Sequence, residues 1–115
     1  MKIDLDLDAV LLDRRDKPLR NGDRVCTLGQ IFADCLDNPT PVDAQAGRAE
    51  KERWHKLAKQ LDAGGQQSLE MSDLVLIQDR VAIMYGAAVV GAVAEALERM
   101  SKTPAPPKPE AEPAA

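Results

Sequence analysis

From Ser72 to Met100 the chain carries its densest apolar run, SDLVLIQDRVAIMYGAAVVGAVAEALERM, and that run repeats at helical spacing. Leu74, Ile77, Val81 and Met84 fall three or four residues apart, as do Val90, Val93, Leu97 and Met100. A helix this apolar along one side must bury that side against another element, so the stretch dictates a core built from helices. Ser72 is placed to cap the first of them, with Asp73 in its electropositive first turn. Val75, Leu76 and Ile83 widen the apolar face, and Gly86 divides the run in two. Ala88, Ala92 and Ala96 form a second face of small side chains, which lets another backbone approach closely. The span Val81 to Leu97 is interrupted by Gly86, Gly91 and Glu95 and barely reaches bilayer-crossing length, so a buried helix is expected there and no membrane span.

At the other end, Ile3, Leu5 and Leu7 alternate with Asp4, Asp6 and Asp8, the period of a strand with one buried face. The apolar run Ala9 to Leu12 continues it. Pro18 and Asn21-Gly22 then offer two turn signals before Val25 and Cys26. A β-hairpin over residues 2–26 is expected. Thr27 and Gln30 form a capping box, followed by Leu28, Ile31, Phe32, Cys35 and Leu36 on one helical face. Asp37-Asn38-Pro39 ends that helix, because proline disfavours helical geometry in the residue before it. Asp43 can cap a second helix, charged early and apolar along Trp54, Leu57, Ala58 and Leu61, with Glu52 and Lys56 an i,i+4 pair and Gly64-Gly65 at its end. Residues 101–115 (SKTPAPPKPEAEPAA) are too polar and Pro-rich to join a core, and a PxxP match there follows from composition alone. The fold expected is α+β: an N-terminal β-hairpin packed on a three- to four-helix aliphatic bundle, one domain over 1–100, with a Pro/Ala-rich tail.

Aromatics make up only 3% of the 115 residues, so the core must be aliphatic. Fifteen basic against nineteen acidic residues leave a net charge of -4, the wrong sign for a nucleic-acid-binding face. The local cluster Arg14, Arg15, Lys17, Arg20 and Arg24 reads as a solvated hairpin tip. Cys26 and Cys35 lack the spacing of a redox or zinc motif and read as buried free thiols. Asp4-x-Asp6-x-Asp8 lacks the glycine and terminal glutamate of a calcium loop, since Ala9 and Arg15 stand at those positions. His55, the single histidine, sits on a charged helix with no nucleophile or orienting carboxylate indicated. No catalytic, metal or cofactor-binding residue is therefore expected. The opening residues lack a secretory signal, and a reducing cytoplasm is the expected setting. Trp54, alone of its kind on a mostly polar helix, and the Ala88, Ala92, Ala96 face are the candidates for contact with a partner or a second copy.

Three segments together carry a resemblance. They are Asp6 to Leu19 (DLDAVLLDRRDKPL), Thr27 to Leu36 (TLGQIFADCL), and the Ser72 to Leu97 pattern of Asp73, Leu74, Ile77, Val81, Tyr85, Val89-Val90-Gly91 and Leu97. In these the chain resembles a family of small proteins encoded in temperate phages and prophages, among virion and tail-assembly genes. The resemblance implies no enzymatic activity to carry over, and with no reactive constellation in the chain the expectation is a non-enzymatic protein that acts through protein–protein contacts in tail or head assembly. Its partner would be a phage structural protein or itself, in the host bacterial cytoplasm or the virion. The alternative expectation is a host-directed inhibitor or regulatory binder whose Asp4, Asp6 and Asp8 imitate a nucleic-acid surface.

Overall fold

The computed structural model describes residues 1–38 and 46–102. Eight elements run in the order β1 (Lys2–Asp6), β2 (Arg20–Asn21), β3 (Arg24–Val25), α1 (Leu28–Asp37), α2 (Arg48–Asp62), β4 (Gln66–Glu70), α3 (Met71–Met84) and α4 (Ala87–Lys102). Among the described residues, four helices with two two-stranded antiparallel sheets make this an α+β fold. The expected Asp43 cap lies outside the described residues, as does the expected 101–115 tail from residue 103 onward; Ser101 and Lys102, placed in that tail by the sequence, extend α4 instead.

The alternation in β1 does what strand geometry requires: Leu5 and Leu7 are buried, while Asp4 and Asp8 face solvent. Its partner, however, is distant in sequence. β1 pairs antiparallel with β4, Ile3 opposite Leu69 and Leu5 opposite Gln67, instead of folding back within residues 2–26. The local hairpin exists in reduced form. β2 and β3 pair two residues each around Gly22-Asp23, with bridges at Val10–Thr27 and Leu12–Pro18 beside them. Gly22 takes φ +67, at the first of the two loop positions, where glycine is favoured. β4 carries a single apolar residue, Leu69, so its sequence gives no strand signal. Its inward-facing Gln67 donates from Nε2 to the carbonyls of Gln60 (2.7 Å) and Gly64 (2.9 Å), closing the end of α2.

α1 begins as its capping residue predicts: Thr27 Oγ1 accepts from the Gln30 N–H at 3.3 Å. The second half of the box is absent, because the Gln30 amide turns to the Val25 carbonyl and Arg24 instead. Leu28, Ile31, Phe32, Cys35 and Leu36 are all buried. α1 packs against α2 through Gly29, where a β-carbon would stand 2.6 Å from the Leu61 carbonyl oxygen. α2 starts at Arg48 and buries the expected Trp54, Leu57, Ala58 and Leu61. Gly64 and Gly65 then turn the chain at φ +77 and +78. α3 begins directly out of β4 at Met71, so Ser72 lies inside the helix and caps nothing. Leu74, Ile77 and Val81 face inward as predicted, but Val75 (50% exposed) and Ile83 (48%) do not widen that face. The break at Gly86 holds: Tyr85 adopts extended geometry and α4 restarts two residues later.

Arg80 is the residue the apolar pattern did not announce. It is 1% exposed on the inner face of α3. Its Nε donates to the Cys35 carbonyl at 2.6 Å and its Nη2 to the Asn38 carbonyl at 3.1 Å, which satisfies the end of α1. The guanidinium carbon lies 4.8 Å from the centre of the Trp54 ring. One side chain thus ties α1, α2 and α3 together.

Candidate functional site

Two hollows flank the N-terminal half of α4. The first is a groove of about 740 Å³ between the Leu12–Arg15 turn and the helix. Its bed is Ala87, Ala88, Gly91 and Ala92, and Arg14, Arg15 and Glu95 stand along it. The turn that forms the opposite wall is fixed by Asp13. Its carboxylate accepts the backbone N–H of Arg15 at 2.8 Å and of Lys17 at 3.1 Å. Those bonds, Lys17 first, hold its carboxyl below the usual range. Asp16 in the same turn takes φ +60, a conformation aspartate tolerates. The groove is open because small side chains line α4: a β-carbon on Gly91 would meet nothing within 4 Å.

The second hollow is a cleft of about 480 Å³ where the β2–β3 hairpin meets α1, the end of α2 and the α3–α4 junction. Arg20 and Arg24 enter it from the hairpin, Asp34 from α1, Asp62 from α2 and Tyr85 from the junction. Partial burial raises the Asp34 carboxyl above its ordinary value; Asp62 and Asp37 push the same way and Arg24 opposes them. Burial likewise raises the Tyr85 phenol to about 12. It is a neutral donor at physiological pH. Cys35, deeper in the core, has its thiol pushed up to about 12 by burial, so it is not a nucleophile at neutral pH.

The contact residues anticipated from sequence divide between the interior and this surface. Trp54, Ala92 and Ala96 are buried within the chain: Trp54 is stacked under Arg80, and both alanines are packed into the core. Ala88 remains exposed, on the groove bed, with a part of Ala92 reaching the same hollow. Ala96 does not line it. The reason is that α4 uses its small-residue face to approach the rest of its own chain before offering the edge of that face to solvent. The groove and cleft as units were not anticipated, since each joins residues from segments dozens of positions apart.

Other expectations resolve at their own positions. Cys26 and Cys35 are free and buried. His55 is exposed, with Nδ1 3.1 Å from Asp37 Oδ1, an ion-pair geometry between α2 and the end of α1. The acidic strand face is partly engaged locally: Ser68 Oγ donates to Asp4 Oδ1 at 2.5 Å, and Asp6 Oδ1 accepts the Asp8 N–H at 3.1 Å. Among the described residues no group of three or more histidine, cysteine or acidic side chains is placed to hold a metal ion. None of the described helices is long and apolar enough to cross a membrane. Comparison with protein-family models, with curated proteins and with solved structures returned no match.

Proposed function

We propose that this chain is a non-enzymatic interaction protein of the phage-derived kind its sequence resembles, an accessory factor in tail or head assembly. It engages a helical segment of a virion protein in the groove beside α4, in the host cytoplasm during assembly or in the virion. The observation that carries this reading is the groove bed itself. Ala87, Ala88, Gly91 and Ala92 present backbone and methyl groups to an open hollow of about 740 Å³. A surface of that kind admits a second helix at close interaxial distance, which bulkier side chains would forbid. Leu12 adds an apolar wall, while Arg14, Arg15 and Glu95 supply charges of both signs that can fix direction and register. A host-directed binder using the acidic strand draws less support, because Asp4 and Asp6 already accept hydrogen bonds from Ser68 and Asp8.

The test is co-expression with the virion proteins encoded beside its gene, followed by size-exclusion chromatography with light scattering. A defined complex is expected. Gly91→Phe, placed in the groove bed where an added β-carbon meets nothing within 4 Å, should weaken it at least about tenfold while the circular dichroism spectrum is unchanged. A chain that stays monomeric and joins none of these proteins, or a complex indifferent to Gly91→Phe, would overturn the proposal. Capture of a host protein in their place would favour the regulatory alternative.

A further inference from the structure

The cleft on the other side of α4 separates charge by element. Its cations, Arg20 and Arg24, both come from the β2–β3 hairpin, and its anions, Asp34 and Asp62, come from α1 and α2. Each guanidinium is only partly used. Arg20 Nη1 donates to the Asp23 carbonyl at 3.3 Å, and Arg24 Nη2 donates to the Gln30 amide oxygen. A guanidinium carries five N–H donors, so several remain on each. Neither Asp34 nor Asp62 closes an ion pair with another described residue, and the Tyr85 hydroxyl makes no hydrogen bond to one. Beneath these groups the lining turns apolar, through buried Ile31 and half-buried Val89. The volume, about 480 Å³, lies within the roughly 300–1,000 Å³ typical of small-molecule pockets.

Cationic and anionic side chains lining one hollow, in equal number, favour a ligand of both signs over a purely anionic or purely cationic one. They match a molecule that carries both charges and an apolar or neutral remainder. We propose that the cleft is a binding site for a free α-amino acid. Its ammonium is held by Asp34 and Asp62, its carboxylate is held by Arg20 and Arg24, and its side chain lies on Ile31 and Val89 under the Tyr85 hydroxyl. This assignment is independent of the groove and of any protein partner. Bidentate guanidinium–carboxylate pairing supplies the orientation, and it is the stronger class of hydrogen bond available to such a ligand.

The experiment is titration of the ¹⁵N-labelled full chain with each proteinogenic amino acid in turn, read by amide chemical shifts. At least one should give saturable shifts centred on Asp34, Asp62, Tyr85 and Val89. The amine lacking its carboxylate, and the acid lacking its ammonium, should each bind at least about tenfold more weakly. Asp34→Asn and Arg24→Gln, both at exposed positions, should reduce affinity by a similar factor with the fold retained, whereas Gly91→Phe should leave it unchanged. The site assignment fails if no amino acid saturates below about 20 mM. It fails equally if either half-ligand binds as tightly as the whole, or if the shifts map outside the cleft.

Discussion

Arg80 shows how one residue can set the relation between three helices. Its guanidinium occupies the end of α1, where the carbonyls of Cys35 and Asn38 need donors, and its face covers Trp54. Arg80→Ala would leave buried carbonyls unsatisfied and open a void beside the indole. Chemical denaturation should report a loss of about 3 kcal/mol or more, with a shifted Trp54 emission. Arg80→Lys keeps the charge but lacks the planar fork and the stacking, and should cost about 1–2 kcal/mol. Position 80 falls three residues after Ile77 and four before Met84, on the buried side of α3. Spacing alone could have flagged it, but an arginine inside an apolar stripe reads as a surface residue until its acceptors are known. Glycines divide in the same way. Gly29→Ala forces a methyl against the Leu61 carbonyl and should destabilise by about 2 kcal/mol. Gly91→Ala, in open space within α4, should stabilise by up to about 1 kcal/mol, a contrast that thermal melts would resolve.

Among the elements, α4 carries the argument about function, because its small-residue face serves two ends. Ala92 and Ala96 bring the helix onto the core, and Ala88 with Gly91 leaves the groove beside it open. Ala92→Leu should therefore cost about 1–3 kcal/mol by overpacking, whereas Ala88→Leu at the exposed edge should stay within about 0.5 kcal/mol. Comparable losses for the two would mean that the whole face is packed internally. The strands were legible in part. β1 announced itself by strict alternation, but nothing in Gln66-Gln67-Ser68-Leu69-Glu70 does so, because the half-buried Gln67 turns inward to donate to the Gln60 and Gly64 carbonyls. A strand whose core-facing position is polar has no periodic signature. The sequence-local hairpin was the natural expectation for β1 because turn residues mark short-range pairing, and no comparable mark exists for a partner sixty residues away.

At the scale of the whole molecule, burial of Cys35 and partial burial of Tyr85 tie stability to alkaline pH. The Cys35 thiol rises from 9.0 and the Tyr85 phenol from 10.0, each to about 12. Well below pH 9 both groups are protonated in either state and the stability linked to them is fully present. Between pH 9 and 12 the unfolded chain releases these protons while the folded chain retains them, so the unfolding free energy falls as pH rises. Denaturant titrations across that window should show the decline, and Tyr85→Phe should flatten the part above pH 10. Both thiols are buried, so a thiol reagent at neutral pH should react only at the rate of opening. Rapid labelling of the native chain would contradict the packing described. Composition and periodicity by themselves determined that the core is aliphatic, that a helix behind Thr27 and the apolar run from Ser72 to Met100 supply most of it, that Gly86 interrupts that run, and that the chain is α+β. These follow from local rules, the spacing of apolar residues and the stop and cap signals, which operate within a few residues. The β1–β4 pairing, the role of Arg80, the burial of Trp54 and Ala92, and the two hollows beside α4 were decided only by the tertiary structure. Each depends on which backbone groups and surfaces meet across long stretches of chain, and that is settled by packing the whole core at once.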